Sequence, residues 1–137
     1  MEDIEYFSDT FEALQLFKNL EYQVFIVTNQ SGVGRGYFTM ESVQSVHQKM
    51  QEDFVVKEVG PIVDFAICPH TPEDQCLCRK PSGEMIRELL QKYQLDPTKS
   101  FMIGDKLIDV QAGNNAGIQG ILLRSPPPLN FKGLYFK

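Results

Sequence analysis

Apolar residues recur along the chain in two patterns that alternate. Short, mostly apolar runs are typical of strands that are buried on both faces of a parallel sheet. Longer segments with an apolar residue every three or four positions predict amphipathic helices. The runs are 24–27, 62–67, 101–103 and 121–123, and the helical segments are 8–20, 40–56, 82–94 and 108–116. Because the two patterns alternate throughout, the sequence predicts an α/β domain with a parallel sheet and helices on both faces.

Polar residues and glycine mark where several of these helices begin or end. Ser8 or Asp9 can cap the first helix and Thr39 the second, since short side-chain oxygens accept hydrogen bonds from the first amides of a helix. Gly117 stops the fourth helix. His47 lies beside the apolar stripe of the second helix, and we interpret it as a partly buried helix residue rather than a ligand.

The composition narrows the class of protein. The 137 residues suffice for one domain with a substantial core, which we place at 1–124, followed by a tail at 125–137. The net charge of −5 argues against a nucleic-acid or anionic-membrane partner, and no apolar run is long enough to span a bilayer. The tail contains three consecutive prolines and then several large apolar residues, so it either docks on the domain or extends from it.

All three cysteines lie in one proline-rich loop, 68–81. Cys68, His70, Cys76 and Cys78 follow the pattern C-x-H-x5-C-x-C, and three thiolates with one imidazole can close a tetrahedral structural zinc site. The plainer alternative is buried free thiols and a surface histidine. A disulfide is disfavoured, because three cysteines leave one over and Cys76 and Cys78 are too close in sequence to pair without strain. A metal-type cysteine pattern also predicts a cytoplasmic protein.

Chemically active residues follow three of the predicted strands. Thr28 and Asn29 come after the first strand, Arg79 and Lys80 follow the metal loop after the second, and Asp105 follows the third. In folds of this class the ligand site lies beyond the carboxyl ends of the strands. Hydroxyl and amide donors, a pair of cations and a carboxylate suited to Mg²⁺ are the parts of a phosphoryl-transfer site.

Each of these features also has a structural explanation when it is taken alone. Thr28 and Asn29 could form a turn or cap, Asp105 could be a turn aspartate, and Asp109 could cap the following helix or bind a backbone amide. Their occurrence at three strand ends favours the functional interpretation.

The motifs together resemble those of the haloacid dehalogenase-like (HAD) phosphatases. They are Thr-Asn-Gln-Ser-Gly at 28–32, Cys-Pro-His with Cys-x-Cys-Arg-Lys-Pro in the metal loop, and Gly-Asp-Lys-x-x-Asp at 104–109. More narrowly, they resemble the zinc-containing branch of D-glycero-D-manno-heptose 1,7-bisphosphate phosphatases and histidinol phosphatases. The segment Ser-Gly-x-x-Arg-Gly at 31–36, which includes Arg35, and Lys106 favour the heptose enzymes.

The resemblance implies a role for each motif residue. Thr28 would donate to the phosphoryl group, Lys80 would neutralise it, and Asp105 would bind the catalytic Mg²⁺, with Asp109 and Arg35 in support. The zinc ligands would be Cys68, His70, Cys76 and Cys78, and the further substrate contacts would be Asn29, Gln30, Ser31, Arg79 and Lys106.

One motif of that family is missing. The Asp-x-Asp-Gly sequence that supplies the aspartate nucleophile on the first strand does not occur in the 137 residues. The first strand of such a sheet is central, so we expect two half-sheets that face a gap. The sequence is then a fragment or begins at a wrongly assigned start, or a partner copy donates a strand by self-association, or the sheet has closed up.

The implied function is hydrolysis of a phosphate monoester of a small metabolite, most simply D-glycero-D-manno-heptose 1,7-bisphosphate, through an aspartyl-phosphate whose nucleophile this sequence lacks. The alternatives are a histidinol-phosphate phosphatase and, in another class, a non-catalytic zinc-stabilised domain that binds a phosphate or a protein partner.

Overall fold

The computed structural model describes Tyr6 and residues 9–123, so the predictions for Ser8 and for the tail lie outside the described residues. Helices and strands alternate as predicted. The helices are α1 (Thr10–Asn19), α2 (Ser31–Gly34), α3 (Met40–Val56), α4 (Glu84–Lys92) and α5 (Leu107–Asn115), with 3-10 turns at Pro72–Asp74 and Pro97–Lys99. The strands are β1 (Phe25–Asn29), β2 (Asp64–Cys68), β3 (Phe101–Gly104) and β4 (Gln119–Leu122).

The strands form two parallel pairs instead of one continuous sheet. β1 pairs with β2, placing Phe25 opposite Asp64 and Asn29 opposite Cys68. β3 pairs with β4 in the same parallel sense. Across the described part of the chain, β1 and β3 each have only this one strand neighbour. The expected gap between half-sheets is therefore confirmed, and the possibility that the sheet had closed up is wrong for these residues.

Helix α4 joins the two halves through a shared core. Its buried side chains pack with Val27 of β1, Met102 of β3 and Ala112 of α5 in one apolar cluster. The alternate residues of β1 point to the opposite face, where Ile26 packs with Phe54 of α3 and Leu14 of α1. Helices thus cover both faces, as the uninterrupted apolar strand β1 requires.

The capping rules applied to the sequence explain some of the helix boundaries but not all of them. Thr39 caps α3 as predicted, because its Oγ1 accepts a hydrogen bond from the Ser42 amide at 3.1 Å. Asp9 is the N-cap residue of α1, but its side chain makes no capping hydrogen bond. The segment Ser-Gly-x-x-Arg-Gly at 31–36 begins with the one-turn helix α2, which the pattern of apolar residues did not predict.

Strand β2 begins at Asp64, two residues later than predicted. The backbone of Ile62, the first residue of the predicted strand, forms its hydrogen bonds with the Gln51 side chain instead. Gln51 Nε2 donates to the Ile62 carbonyl at 2.7 Å, and the Ile62 amide donates to Gln51 Oε1 at 2.8 Å. His47 is buried and stacks on Phe65 with 4.1 Å between ring centroids, so it is a packing residue as expected. Burial lowers the pKa of His47. Among the helices within residues 9–123, none is both long and apolar enough to cross a membrane.

Candidate phosphate and metal site

The carboxyl end of β1 presents a buried hydroxyl group. Thr28 is 4% exposed, and its Oγ1 accepts a hydrogen bond from Gln30 Nε2 at 3.2 Å and donates to the Asn29 carbonyl at 3.4 Å. The backbone N–H of Gln30 donates to the Cys68 carbonyl at 2.8 Å, which fixes the turn to the end of β2. These contacts fix the orientation of the Thr28 side chain at the end of β1.

Lys80 is a buried cation that spans the two half-sheets. Its Nζ donates to the Val27 carbonyl of β1 at 3.3 Å and to Asp109 Oδ1 of α5 at 2.5 Å. The side chains of Lys80 and Asp109 are only 3% and 1% exposed. Charges this deeply buried are tolerated only when they are paired and hydrogen-bonded. The pair therefore connects the end of β1 to α5, which follows the carboxyl end of β3.

Asn29 holds the backbone of Lys80 in place. The Lys80 amide donates to Asn29 Oδ1 at 3.0 Å, and Asn29 Nδ2 donates to the Lys80 carbonyl at 3.4 Å. The sequence predicted a substrate contact for Asn29. In the structure its amide is engaged in positioning the lysine, and a direct substrate contact stays a prediction.

Asp109 has a second partner besides the lysine. Its Oδ2 accepts a hydrogen bond from the Lys106 amide at 3.3 Å, so it caps α5 as one of the structural explanations proposed. Gly104 makes room for it, because a Cβ at position 104 would lie within van der Waals overlap of the Asp109 side chain. The ion pair with Lys80 had no local signal in the sequence, since the two residues are 29 positions apart.

Asp105 follows directly on β3 and carries an unsatisfied buried atom. Its Oδ1 is buried and has no hydrogen-bond partner among the described residues. A buried carboxylate oxygen without a partner is costly, and a hard cation that prefers carboxylate and water ligands would relieve that cost. The donor set at this position therefore fits Mg²⁺.

The metal loop gathers all four predicted zinc ligands. One ligand atom from each of Cys68, His70, Cys76 and Cys78 lies within 4.8 Å of the others. Cys76 Sγ is 3.4 Å from Cys68 Sγ and 3.7 Å from Cys78 Sγ, and His70 Nδ1 is 3.4 Å from Cys78 Sγ. With zinc–sulfur bonds of about 2.3 Å, the sulfur atoms of a tetrahedral site are roughly 3.7 Å apart. The spacing around Cys76 and His70 fits that geometry.

The structure also corrects the expectation that the cysteines would form no disulfide. It pairs Cys68 with Cys78 and leaves Cys76 as a free thiol. A disulfide explains why the sulfur atoms of two cysteines lie close together. A zinc ion would also explain why the third thiol and the imidazole converge on the same point.

The remaining predicted residues adjoin this arrangement in the chain. Arg79 precedes Lys80, and its Nη1 donates to the His70 carbonyl at 3.4 Å, which ties it to the metal loop. Ser31 begins α2, whose Gly34 amide donates to the Pro69 carbonyl at 3.0 Å. Arg35 and Lys106 are exposed. Their contacts with substrate stay predictions.

A split parallel α/β sheet with a threonine, a buried lysine and an aspartate that follows a strand is the arrangement of a HAD-like hydrolase domain. A HAD-hydrolase-like family model matches residues 77–125. A D-glycero-beta-D-manno-heptose-1,7-bisphosphate 7-phosphatase from Helicobacter pylori (strain J99 / ATCC 700824) is 40% identical over 129 residues, which cover 93% of this chain and 74% of the relative. The chain belongs to the HAD-like hydrolases, in the branch that includes the heptose-bisphosphate phosphatases.

Two further similarities bear on function. A Histidine biosynthesis bifunctional protein HisB from Blochmanniella floridana is 44% identical over 105 residues, covering 76% of this chain and 29% of the relative. The solved D,D-heptose 1.7-bisphosphate phosphatase from B. bronchiseptica, complexed with magnesium and phosphate, superposes with a TM-score of 0.79 at 32% identity. That match covers 85% of this chain and 64% of the solved one.

Proposed function

We propose that the chain carries the phosphoryl-binding and metal-binding part of a phosphatase that acts on D-glycero-D-manno-heptose 1,7-bisphosphate. Two heptose-1,7-bisphosphate 7-phosphatases are 40% and 38% identical to the chain over 93% and 86% of its length, and a solved heptose-bisphosphate phosphatase was complexed with magnesium and phosphate. The observation that carries the proposal is the buried Lys80–Asp109 pair. It connects Val27, the residue before Thr28, to α5, which follows Asp105 and its unsatisfied carboxylate oxygen in the chain.

In this proposal the protein binds and orients one phosphoryl group. The Thr28 hydroxyl and the Lys80 ammonium would contact its oxygens, and Asn29 would keep the lysine backbone in position. Asp105 would hold Mg²⁺, which supplies charge stabilisation for the phosphoryl group when it is bound. Gln30, Ser31, Arg35, Arg79 and Lys106 would contact the rest of a doubly phosphorylated substrate.

The nucleophile is the part that these residues do not provide. The family forms an aspartyl-phosphate on an Asp-x-Asp-Gly motif, and the 137 residues contain no such motif. We therefore propose that a segment outside them, or a second chain, supplies the aspartate.

We assign zinc a structural role and place the protein in the cytoplasm. Four protein ligands leave no open position on a tetrahedral ion, and three thiolates need a reducing compartment. Since Lys80 is two residues from the ligand Cys78, zinc binding would fix the position of the lysine.

The experiment is calorimetric titration of the zinc-loaded chain with heptose bisphosphate, histidinol phosphate and inorganic phosphate, with and without Mg²⁺, alongside phosphate-release assays. We expect Mg²⁺-dependent binding that is strongest for the heptose bisphosphate, and no turnover by the chain alone. Preferential binding of histidinol phosphate would favour the relationship to HisB. Turnover that is lost in Asp105→Asn would show that the nucleophile lies within these residues, and failure to bind any of the three ligands would refute the proposal.

A further inference from the structure

Two asparagine side chains, one from β1 and one from α5, hold the backbone around Lys80. Asn29, the last residue of β1, bonds to the N–H and to the carbonyl of Lys80, at 3.0 and 3.4 Å. Asn115, the last residue of α5, donates from its Nδ2 to the Pro81 carbonyl at 2.8 Å. Because a carbonyl oxygen only accepts hydrogen bonds, Asn115 is the donor in this contact. Two consecutive residues of the lysine segment are therefore bound to different elements of the fold.

Helix α5 belongs to the half of the domain that contains β3. A Cβ on Gly113 would lie 2.6 Å from the Met102 Cβ, so the helix is in close contact with the strand. The Asn115 carbonyl accepts a hydrogen bond from Arg87 Nη1 of α4 at 2.9 Å, which holds the end of α5 beside the start of α4. The Asn115 side chain thus extends from a helix end whose position is set by β3 and α4.

Contacts that join the two strand pairs matter for a site whose residues come from both. Within the described residues, no strand of one pair is hydrogen-bonded to a strand of the other. The distance between Thr28 on β1 and Asp105 after β3 therefore depends on packing and on side-chain bridges. The Lys80–Asp109 pair is one such bridge, and it acts on the lysine side chain. The Asn115 bond is a second bridge, and it acts on the backbone of the same segment.

We propose that Asn115 is a positioning residue for the phosphate site, an inference that rests on the proposed function. Its hydrogen bond to Pro81 keeps the Lys80 backbone at a set distance from β3, so that the lysine ammonium and the Mg²⁺ held after β3 reach the same phosphoryl group. Misplacement of a binding group by about 1 Å is enough to cost much of its effect. Asn115 has no signal in the sequence beyond its place at the end of a predicted helix.

The neighbouring Asn114 provides a matched control, because it uses the other end of its side-chain amide. Asn114 Oδ1 accepts a hydrogen bond from the backbone N–H of Gly120 at 3.3 Å, whereas Asn115 donates through Nδ2. An ionised aspartate has the shape of asparagine but can only accept. Asn114→Asp therefore keeps its hydrogen bond and Asn115→Asp loses its own, while both add one negative charge at the same exposed helix end.

The measurement is calorimetric titration of inorganic phosphate, in the presence of Mg²⁺, into the zinc-loaded full chain at a temperature well below the melting temperature of each variant. We expect Asn115→Asp to weaken phosphate binding by roughly threefold to tenfold, the effect of one hydrogen bond, and Asn114→Asp to leave it within about twofold of the wild type. The backbone N–H of Lys80 should exchange with deuterium faster in Asn115→Asp than in the wild type or Asn114→Asp, as resolved by NMR.

The possible failures of the inference and of the proposed function are distinguishable. Equal phosphate affinity in the wild type and both variants would overturn the inference and leave the proposed function standing; a lower melting temperature of Asn115→Asp would then show a structural role only. An equal loss of affinity in both variants would also overturn it, because the added charge would explain the effect. A wild type that does not bind phosphate would refute the proposed function and the inference with it.

Discussion

The buried ion pair between Lys80 and Asp109 allows the sharpest energetic prediction. Asp109→Asn keeps the shape that packs against Gly104 but removes the negative charge 2.5 Å from the lysine ammonium. Breaking a buried pair on one side costs about 3–5 kcal/mol, because the remaining charge stays in a place where water cannot solvate it. Asparagine can still accept one hydrogen bond, so we expect a loss of about 3 kcal/mol in the free energy of unfolding.

The matching change on the other side is Lys80→Met, which keeps the length of the side chain and leaves the Asp109 carboxylate with the Lys106 amide. This variant should also lose about 3 kcal/mol. Since the double variant buries neither charge, it should be more stable than either single variant. The resulting coupling energy should be at least about 3 kcal/mol.

The assay is urea denaturation of the zinc-loaded, reduced protein, with the slope of the transition compared among variants so that stability changes are separated from changes in compactness. Phosphate titration of the double variant gives a second readout, because a stable protein without the lysine should still fail to bind phosphate. A double variant whose loss equals the sum of the two single losses would refute the reasoning, as would a loss below about 1 kcal/mol for Asp109→Asn.

Two further predictions concern the metal loop and the amino-terminal half. In the reduced protein, elemental analysis should find one zinc per chain and a thiol assay should find no Cys68–Cys78 disulfide. Cys76→Ser should reduce the zinc content. A well-folded protein without metal would contradict the zinc assignment. The Tyr6 hydroxyl donates to Asp53 at 2.6 Å and, with Lys49, holds the pKa of Asp53 below its usual 3.8. A depressed pKa stabilises the fold above pH 3.8 and stops doing so as the pH falls through the folded value. Tyr6→Phe should therefore cost about 1 kcal/mol at pH 7 and progressively less below pH 3.8, and an equal cost at pH 7 and pH 2 would contradict this.

Local sequence signals were sufficient for the order of elements and for much of the site. The apolar run of β1, the Thr39 cap and the strand-end positions of Thr28 and Asp105 all follow from short-range rules. The gap in the sheet followed from the absence of one expected strand rather than from any pattern that is present.

Tertiary contacts decided what the sequence left open. No periodicity distinguishes Asp109 from the other acidic residues as the partner of Lys80, because the two residues are 29 positions apart and meet only in the folded chain. The side-chain amide of Asn29 bonds to the backbone of Lys80, and that of Gln51 bonds to the backbone of Ile62. These contacts also join residues that are not neighbours in the sequence, so local patterns do not predict them. The convergence of the four metal-loop side chains was predictable from the sequence, while the pairing of Cys68 with Cys78 was not.

The central claim is that Thr28, Lys80 and Asp105 form one magnesium-assisted phosphate site. Its most direct test is calorimetric titration of heptose bisphosphate into the zinc-loaded protein, with Asp105→Asn compared against Asp9→Asn, an exposed helix-cap aspartate whose side chain makes no capping hydrogen bond. We expect Mg²⁺ to strengthen binding to the wild type and to Asp9→Asn and to have no effect on Asp105→Asn. Equal Mg²⁺ dependence in all three proteins would contradict the assignment of the metal site, and with it the proposed function.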